Sequence, residues 1–219
     1  MIKLENIEKE YRGKEIVTKA LNGVSLEIRD GELVSVVGPS GSGKTTLLNI
    51  IGCMDTVTSG KYLCGSTEVS ALKNSEAEKF RKENISFVFQ QFALLNDYTV
   101  YENVELPLRV KNISRKARKK TVREVLEKFK IADLEKKYPA QISGGQQQRC
   151  AIARAVVSGG KIILADEPTG ALDGATGQEI LEILKELNKE GKTVIIVTHD
   201  MKIAEQTERI ICIEDGKIA

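Results

Sequence analysis

The run Gly38-Pro39-Ser40-Gly41-Ser42-Gly43-Lys44-Thr45 follows the pattern GxxxxGK[ST]. Glycines let a loop wrap with its amide N–H groups pointing inward, and a helix starting behind it adds positive potential. Such a cradle suits phosphate. Lys44 can reach β- and γ-phosphates, and the Thr45 hydroxyl can ligate Mg2+. A chance Gly-rich turn is the alternative, and the flanking sequence argues against it. Leu33-Val-Ser-Val-Val is an apolar run of the kind buried on both faces of a sheet, and Thr45 to Ile51, beginning Thr45-Thr46, reads as a helix.

A second candidate lies far downstream. Ile162-Ile-Leu-Ala165-Asp166-Glu167 reads as a buried strand ending in two carboxylates. Successive strand side chains point to opposite faces, so the pair can serve two roles. Asp166 would hold Mg2+ through water, and Glu167 would orient or deprotonate an attacking water. A solvated strand end looks the same in isolation. Its place downstream of a phosphate loop favours the chemical reading.

The elements that must position these groups are legible in outline. Ile2 to Ile7 alternates, Leu21 to Ile28 reads as a second strand, and Asp30-Gly31 is a turn. In the middle, Ser75-Glu-Ala-Glu78 and Thr99-Val-Tyr-Glu102 have the form of capping boxes around a strand candidate, Ile85 to Phe89. Ala117, Val122, Val125, Leu126 and Phe129 stand at helical spacing. The last third alternates again: strand Lys161 to Ala165, helix from about Ala175 to Glu190, strand Thr193 to Thr198, and a final strand, Arg209 to Ile213. Strands separated by helices indicate an α/β core, here with a helical insertion.

Composition sets limits. The chain has 219 residues, with 33 Lys+Arg against 31 Asp+Glu, which excludes a globally basic nucleic-acid binder. The longest uncharged stretch, Asn84 to Asn96, is too short and too polar to span a bilayer, where roughly 18 apolar residues are needed. Cys53, Cys64, Cys150 and Cys212 form no CxxC pair and read as reduced core residues in a cytosolic protein.

Between the phosphate loop and the acidic strand lies Gln141-Ile142-Ser143-Gly144-Gly145-Gln146-Gln147-Gln148-Arg149, ahead of a helix-like stretch, Cys150 to Val157. Alone, it reads as a Ser-capped helix start with two flexible glycines. In this place it closely resembles the signature motif of ATP-binding-cassette ATPases. The family's other elements follow its order along the chain: Gln90, Ala171-Leu172-Asp173 and Thr198-His199-Asp200.

The resemblance implies a P-loop NTPase core with an N-terminal antiparallel β subdomain and an inserted α-helical subdomain. One ATP-binding domain would cover 1–219, with the core at about 1–90 and 158–219 and the helical subdomain at about 91–157. It also implies roles. Tyr11 would stack on adenine, unless it is an ordinary strand tyrosine. Gln90 would reach Mg2+ and the water, His199 would contact the γ-phosphate, and Asp173 would touch a partner subunit, cap a helix, or do both. Cassettes of the family pair head to tail around ATP and Mg2+, so that Ser143, Gly144, Gly145 and Gln146 of one copy meet the nucleotide held by Lys44 of the other.

Glu102 to Leu108 and Gln90-Gln91-Phe92 look like the branch with lipoprotein-release, macrolide-export and peptide-antibiotic-resistance ATPases. Such a chain would drive a separate transmembrane permease from the cytoplasmic face of the membrane, with no nucleic acid as partner. A soluble switch in translation or DNA repair is the alternative, and the span from Thr45 to Ser143 lacks the coiled coil of repair members. A non-hydrolysing sensor would not need Glu167 and His199. The basic block from Arg115 to Arg123 either attracts anionic headgroups or an acidic loop, or is a solvated helix face, which is the stronger reading.

Overall fold

The computed structural model describes residues 1–13 and 16–219, and its first strands, β1 (Ile2–Arg12) and β2 (Val17–Ile28), form an antiparallel pair. β3 (Leu33–Val37) leads into α1 (Lys44–Ile51). β4 (Ser59–Cys64) and β5 (Thr67–Glu68) complete a sheet in the order β2-β1-β4-β5. Next come α2 (Asn74–Asn84), β6 (Ile85–Val88), α3 (Val100–Val110), α4 (Arg115–Lys128) and α5 (Gly144–Val157). The chain then runs through β7 (Ile162–Asp166), α6 (Gly174–Lys189), β8 (Thr193–Val197), α7 (Met201–Ala204), β9 (Arg209–Glu214) and β10 (Lys217–Ile218).

The second sheet has the order β10-β9-β3-β8-β7-β6 and is parallel from β9 to β6. Its central strands are apolar throughout because both faces are covered. Ile163, Ala165, Val194 and Ile196 face one core with α3 to α6, and Ile162, Leu164, Ile195 and Val197 face another with α1, β1 and β2. This is the two-residue alternation of a strand expressed as two separate cores.

The insertion between β6 and β7 is helical, with α3 packed on α4 and α5. At the start of α3, Glu102 N donates to Thr99 Oγ1 and Thr99 N donates to Glu102 Oε2, as the capping-box sequence predicts. Val122, Leu126 and Phe129 are buried at their helical spacing, Val125 is half-buried, and Ala117 is exposed because it lies in the solvent-facing first turn of α4.

Three local expectations are corrected. The helix expected at Ser75 begins two residues earlier: Lys73 is the cap, α2 starts at Asn74, and Glu76 rather than Glu78 reaches back, accepting from Lys73 N at 2.9 Å. Glu167 lies beyond β7 with φ 46, so strand alternation does not orient it. Of the four cysteines only Cys150 is buried, and Cys212 is exposed because its side chain falls on the outward face of β9. Beyond the expected last strand, the Asp215-Gly216 turn leads into β10, which pairs back on β9.

Candidate nucleotide site

In an open parallel sheet, ligands bind beyond the carboxyl ends of the strands. Here four of the candidate groups follow such an end: the phosphate loop after β3, Thr198-His199 after β8, Asp166-Glu167 at β7 and Gln90 after β6. Sheet order, not chain order, makes them neighbours.

The loop is pressed against the fold. A Cβ on Gly38 would stand 2.0 Å from Ile213 O of β9, and one on Gly43 2.5 Å from Ala20 O of β2. Gly38, Gly41 and Gly43 have φ of 153, 79 and 107, a range that side chains resist. Pro39 and Ser40 stand on the exposed rim, while Ser42 is buried beneath it. Lys44 Nζ donates to Gly38 O at 2.8 Å and Pro39 O at 2.7 Å, so two of its three N–H groups hold it over the loop. Thr45 is exposed and Thr46 half-buried in the first turn of α1.

Asp166 is half-buried. Burial raises its carboxyl above the usual range, as does Glu167, and Lys44 pulls it back. Glu167 N donates to Val197 O at 2.9 Å, which holds the left-handed residue to β8. Its carboxylate accepts from Thr198 Oγ1 at 3.3 Å and lies 2.7 Å from His199 Nδ1. Gly170 joins two loops: a Cβ there would be 2.9 Å from Gln90 Nε2 and 3.5 Å from Glu167 Cβ.

The signature is elsewhere. Ser143 caps α5, accepting from Gln146 N at 3.3 Å, while Ser143 N donates to Gln146 Oε1 at 2.9 Å. That engages the Gln146 side chain locally but leaves the Ser143 hydroxyl hydrogen and the first-turn amides of Gly144 and Gly145 to serve an anion. A Cβ on Gly145 would meet Thr176 Cγ2 at 2.4 Å. Thr176 in turn donates from N and Oγ1 to Asp173, the cap of α6, and these bonds hold the Asp173 carboxyl below its usual range. So α5 packs on α3, α4, α6 and β6, whereas α1 packs on β2, β7 and β8. The cap predicted for Asp173 is present, and the signature sits beside it.

Some contributing residues carried no signal of their own. Gln148, fully buried, donates to Pro168 O at 2.6 Å, directly after Glu167. Arg154 donates to Phe92 O and Ala93 O, two residues with left-handed backbone just after Gln90. Tyr11 is tied by its hydroxyl to Asp55 at 2.7 Å. A glutamine run and a helix arginine do not announce contacts that depend on the fold of distant loops.

Residues 21–170 match the ABC transporter family. The chain belongs to that family. The cassette is 49% identical over 223 residues to the uncharacterized ABC transporter ATP-binding protein MJ0796 of Methanocaldococcus jannaschii, covering 100% of this chain and 95% of the relative. It is 46% identical over 218 residues to the macrolide export ATP-binding/permease protein MacB of Escherichia coli K12. That match covers 100% of this chain but 34% of MacB, so the cassette spans about a third of the macrolide-export relatives.

Among solved structures it resembles a dimeric post-hydrolysis state of MJ0796 bound to ADP and Pi, with a TM-score of 0.91 and 47% identity over 100% of this chain and 96% of that one. A second dimeric structure of MJ0796 matches with the same TM-score and 48% identity. The relatives are an ABC transporter cassette and a macrolide export ATP-binding/permease protein, and the soluble-switch alternative is set aside.

Proposed function

We propose that the cassette binds and hydrolyses Mg-ATP as the energising unit of a membrane transporter or extracytoplasmic force transducer, working as a head-to-tail dimer. The observation that carries this is the gathering of Lys44, Asp166, Glu167, His199 and Gln90 at the carboxyl edge of one sheet. Gly38 to Thr46 would cradle the phosphates and Tyr11 would take the base. Glu167, held by Thr198 and by His199, would accept a proton from the attacking water.

The donors at Thr45, Gln90 and Asp166 are all hard oxygen groups, which suits Mg2+. When bound, the ion would neutralise charge on the β- and γ-phosphates. Lys44 would supply further positive charge, and His199 a contact to the γ-phosphate.

The position of the signature supports pairing. The α5 N-terminus stands apart from its own phosphate loop, next to Asp173, and a helix N-terminus is an anion site. A second copy would bring Ser143 to Gln146 onto the nucleotide, and ATP would then favour the closed dimer.

We take the core as about 1–90 and 158–219 and the helical subdomain as about 91–157, the part that would engage a separate permease. Among the described residues no helix is long and apolar enough to cross a membrane. A cleft of about 590 Å³ on the helical subdomain is lined by Arg115, Arg118, Lys119, Arg123, Lys136 and Glu135, among others. It would offer a basic surface to an acidic loop of the permease, with the cassette peripheral on the cytoplasmic face.

The test is Glu167→Gln. It is expected to bind Mg-ATP and accumulate as an ATP-bound dimer in sedimentation, with hydrolysis lost. Hydrolysis at the parent rate would overturn the assignment of Glu167.

A further inference from the structure

Tyr11 is the penultimate residue of β1, with its side chain 43% exposed, where an unanchored aromatic ring would sample several rotamers. It is anchored. Its hydroxyl donates to Asp55 Oδ2 at 2.7 Å. The other carboxylate oxygen accepts from Lys9 Nζ at 2.6 Å and from Thr56 N at 2.7 Å. Lys9 is only 8% exposed and spends a second N–H on Thr56 O at 2.7 Å. A buried ammonium needs such partners, so the pair is stiff. The same ammonium stands 5.0 Å from the centroid of the Tyr11 ring.

Asp55 belongs to the turn that closes α1. Met54 N and Asp55 N both donate to Asn49 O, at 2.8 and 3.2 Å. The turn that follows the helix begun at Lys44 therefore carries the carboxylate that holds Tyr11. Burial and the hydrogen bond to Asp55 raise the Tyr11 phenol above its ordinary value, and Thr46 opposes them. The chain thus builds a rigid connection from the phosphate loop, along α1, through Asp55, to an aromatic face.

We propose that Asp55, braced by the buried Lys9, is a positioning residue that fixes the Tyr11 ring as the platform for the nucleotide base. This rests on the reading of Tyr11 as the base contact. Lys9 and Asp55 act through the ring: they set how tightly a base is held at a given distance from the phosphate loop. The phosphate loop binds its own part of the nucleotide without them.

The experiment compares binding of ATP and of inorganic tripolyphosphate, both as magnesium salts, to the parent, Tyr11→Phe, Asp55→Asn and Tyr11→Ala. Tyr11→Phe keeps the ring and the Lys9–Asp55 pair and cuts only the tether, so it does not depend on the fold tolerating an unpaired Lys9. Ordering one side chain on binding costs enough to weaken ATP on the order of 3- to 10-fold in Tyr11→Phe and in Asp55→Asn. The double variant Tyr11→Phe with Asp55→Asn, measured alongside, is expected to lose no more than either single one. Tripolyphosphate affinity stays at the parent value in all of them.

Tyr11→Ala, which removes the stack, is expected to weaken ATP about 10-fold or more. Parent-like ATP affinity in Tyr11→Phe and Asp55→Asn, beside a weakened Tyr11→Ala, would overturn the positioning role and leave the stacking reading standing. Parent-like affinity in Tyr11→Ala would overturn the stacking reading itself. Equal weakening of ATP and tripolyphosphate would overturn the proposal in favour of a purely structural role.

Discussion

His199 Nδ1 lies 2.7 Å from Glu167 Oε1, joining the ends of two adjacent parallel strands across 32 residues of chain. The carboxylate is 15% exposed and the imidazole 71% exposed. Glu167 is therefore held from within the fold, by Thr198 and the β8 backbone, while His199 reaches it from solvent.

Replacing His199 with Ala removes one of two side-chain partners of Glu167 and the proposed γ-phosphate contact. ATP hydrolysis is expected to fall roughly 100-fold in kcat, with KM changed far less, as for a group acting mainly in the transition state. Steady-state kinetics over a range of ATP concentrations reads the split. A rise in KM at unchanged kcat would make His199 a simple binding group.

Gly38→Ala tests the seating of the phosphate loop. Its Cβ would stand 2.0 Å from Ile213 O and 2.8 Å from Ser42 Oγ, so either β9 or the loop must move. Overpacking of this kind costs about 1–3 kcal/mol. Thermal melts should show a lowered Tm and little of the upward shift that ATP gives the parent. A parent-like melt and ATP shift would contradict the close packing.

Glu105 accounts for part of the basic block. It is buried between α3 and α4, where it accepts from Arg109 Nε at 2.5 Å and Arg118 Nε at 2.9 Å. Burial alone would raise its carboxyl, but the hydrogen bonds and charges of Arg118 and Arg109 outweigh it and hold it below the ordinary 4.5. A carboxyl lowered by folding stabilises above its unfolded pKa, and that share disappears as pH falls through the folded value. Glu105→Gln should cost about 1–2 kcal/mol at pH 7, since Arg109 is partly in solvent. The gap to the parent in urea denaturation should close as pH is lowered from 4.5 toward 3. A gap independent of pH would assign the loss to packing.

Part of the block faces the cleft; Lys116 and Lys120 do not line it. Arg115 and Lys119 line it and have no acidic partner among the described residues, whereas Arg118 is committed to Glu105 and Arg123 stands 4.0 Å from Glu135. Arg115→Glu with Lys119→Glu should leave the ATPase of the isolated cassette unchanged and lower that of the membrane-assembled complex several-fold. Unchanged activity in both would return these side chains to an ordinary solvated face.

The phosphate loop, the acidic strand, the capping box at Thr99, the Ser143 cap and the α/β alternation are written locally, in runs of a few residues. Glycine spacing, helix caps and strand periodicity act over one turn or one strand, so Gly38 to Thr45, Ser143 and the β7 run could be read directly. The left-handed backbone at Glu167 was not legible, because it follows from the hydrogen bond to Val197 O on a neighbouring strand. Nor was the start of α2, where the Ser75-Glu78 pattern points to one cap and the placed chain uses Lys73 with Glu76 instead.

By itself the sequence determined which residue types are available for phosphate, metal and proton chemistry, and in what order. Tertiary structure decided which of them meet. Sheet order sets β8 between β3 and β7, so His199 reaches Glu167, and the turn after α1 brings Asp55 to Tyr11. It also held the α5 cap apart from its own phosphate loop. Each of these depends on strand pairing and helix packing between distant segments, which local pattern does not encode.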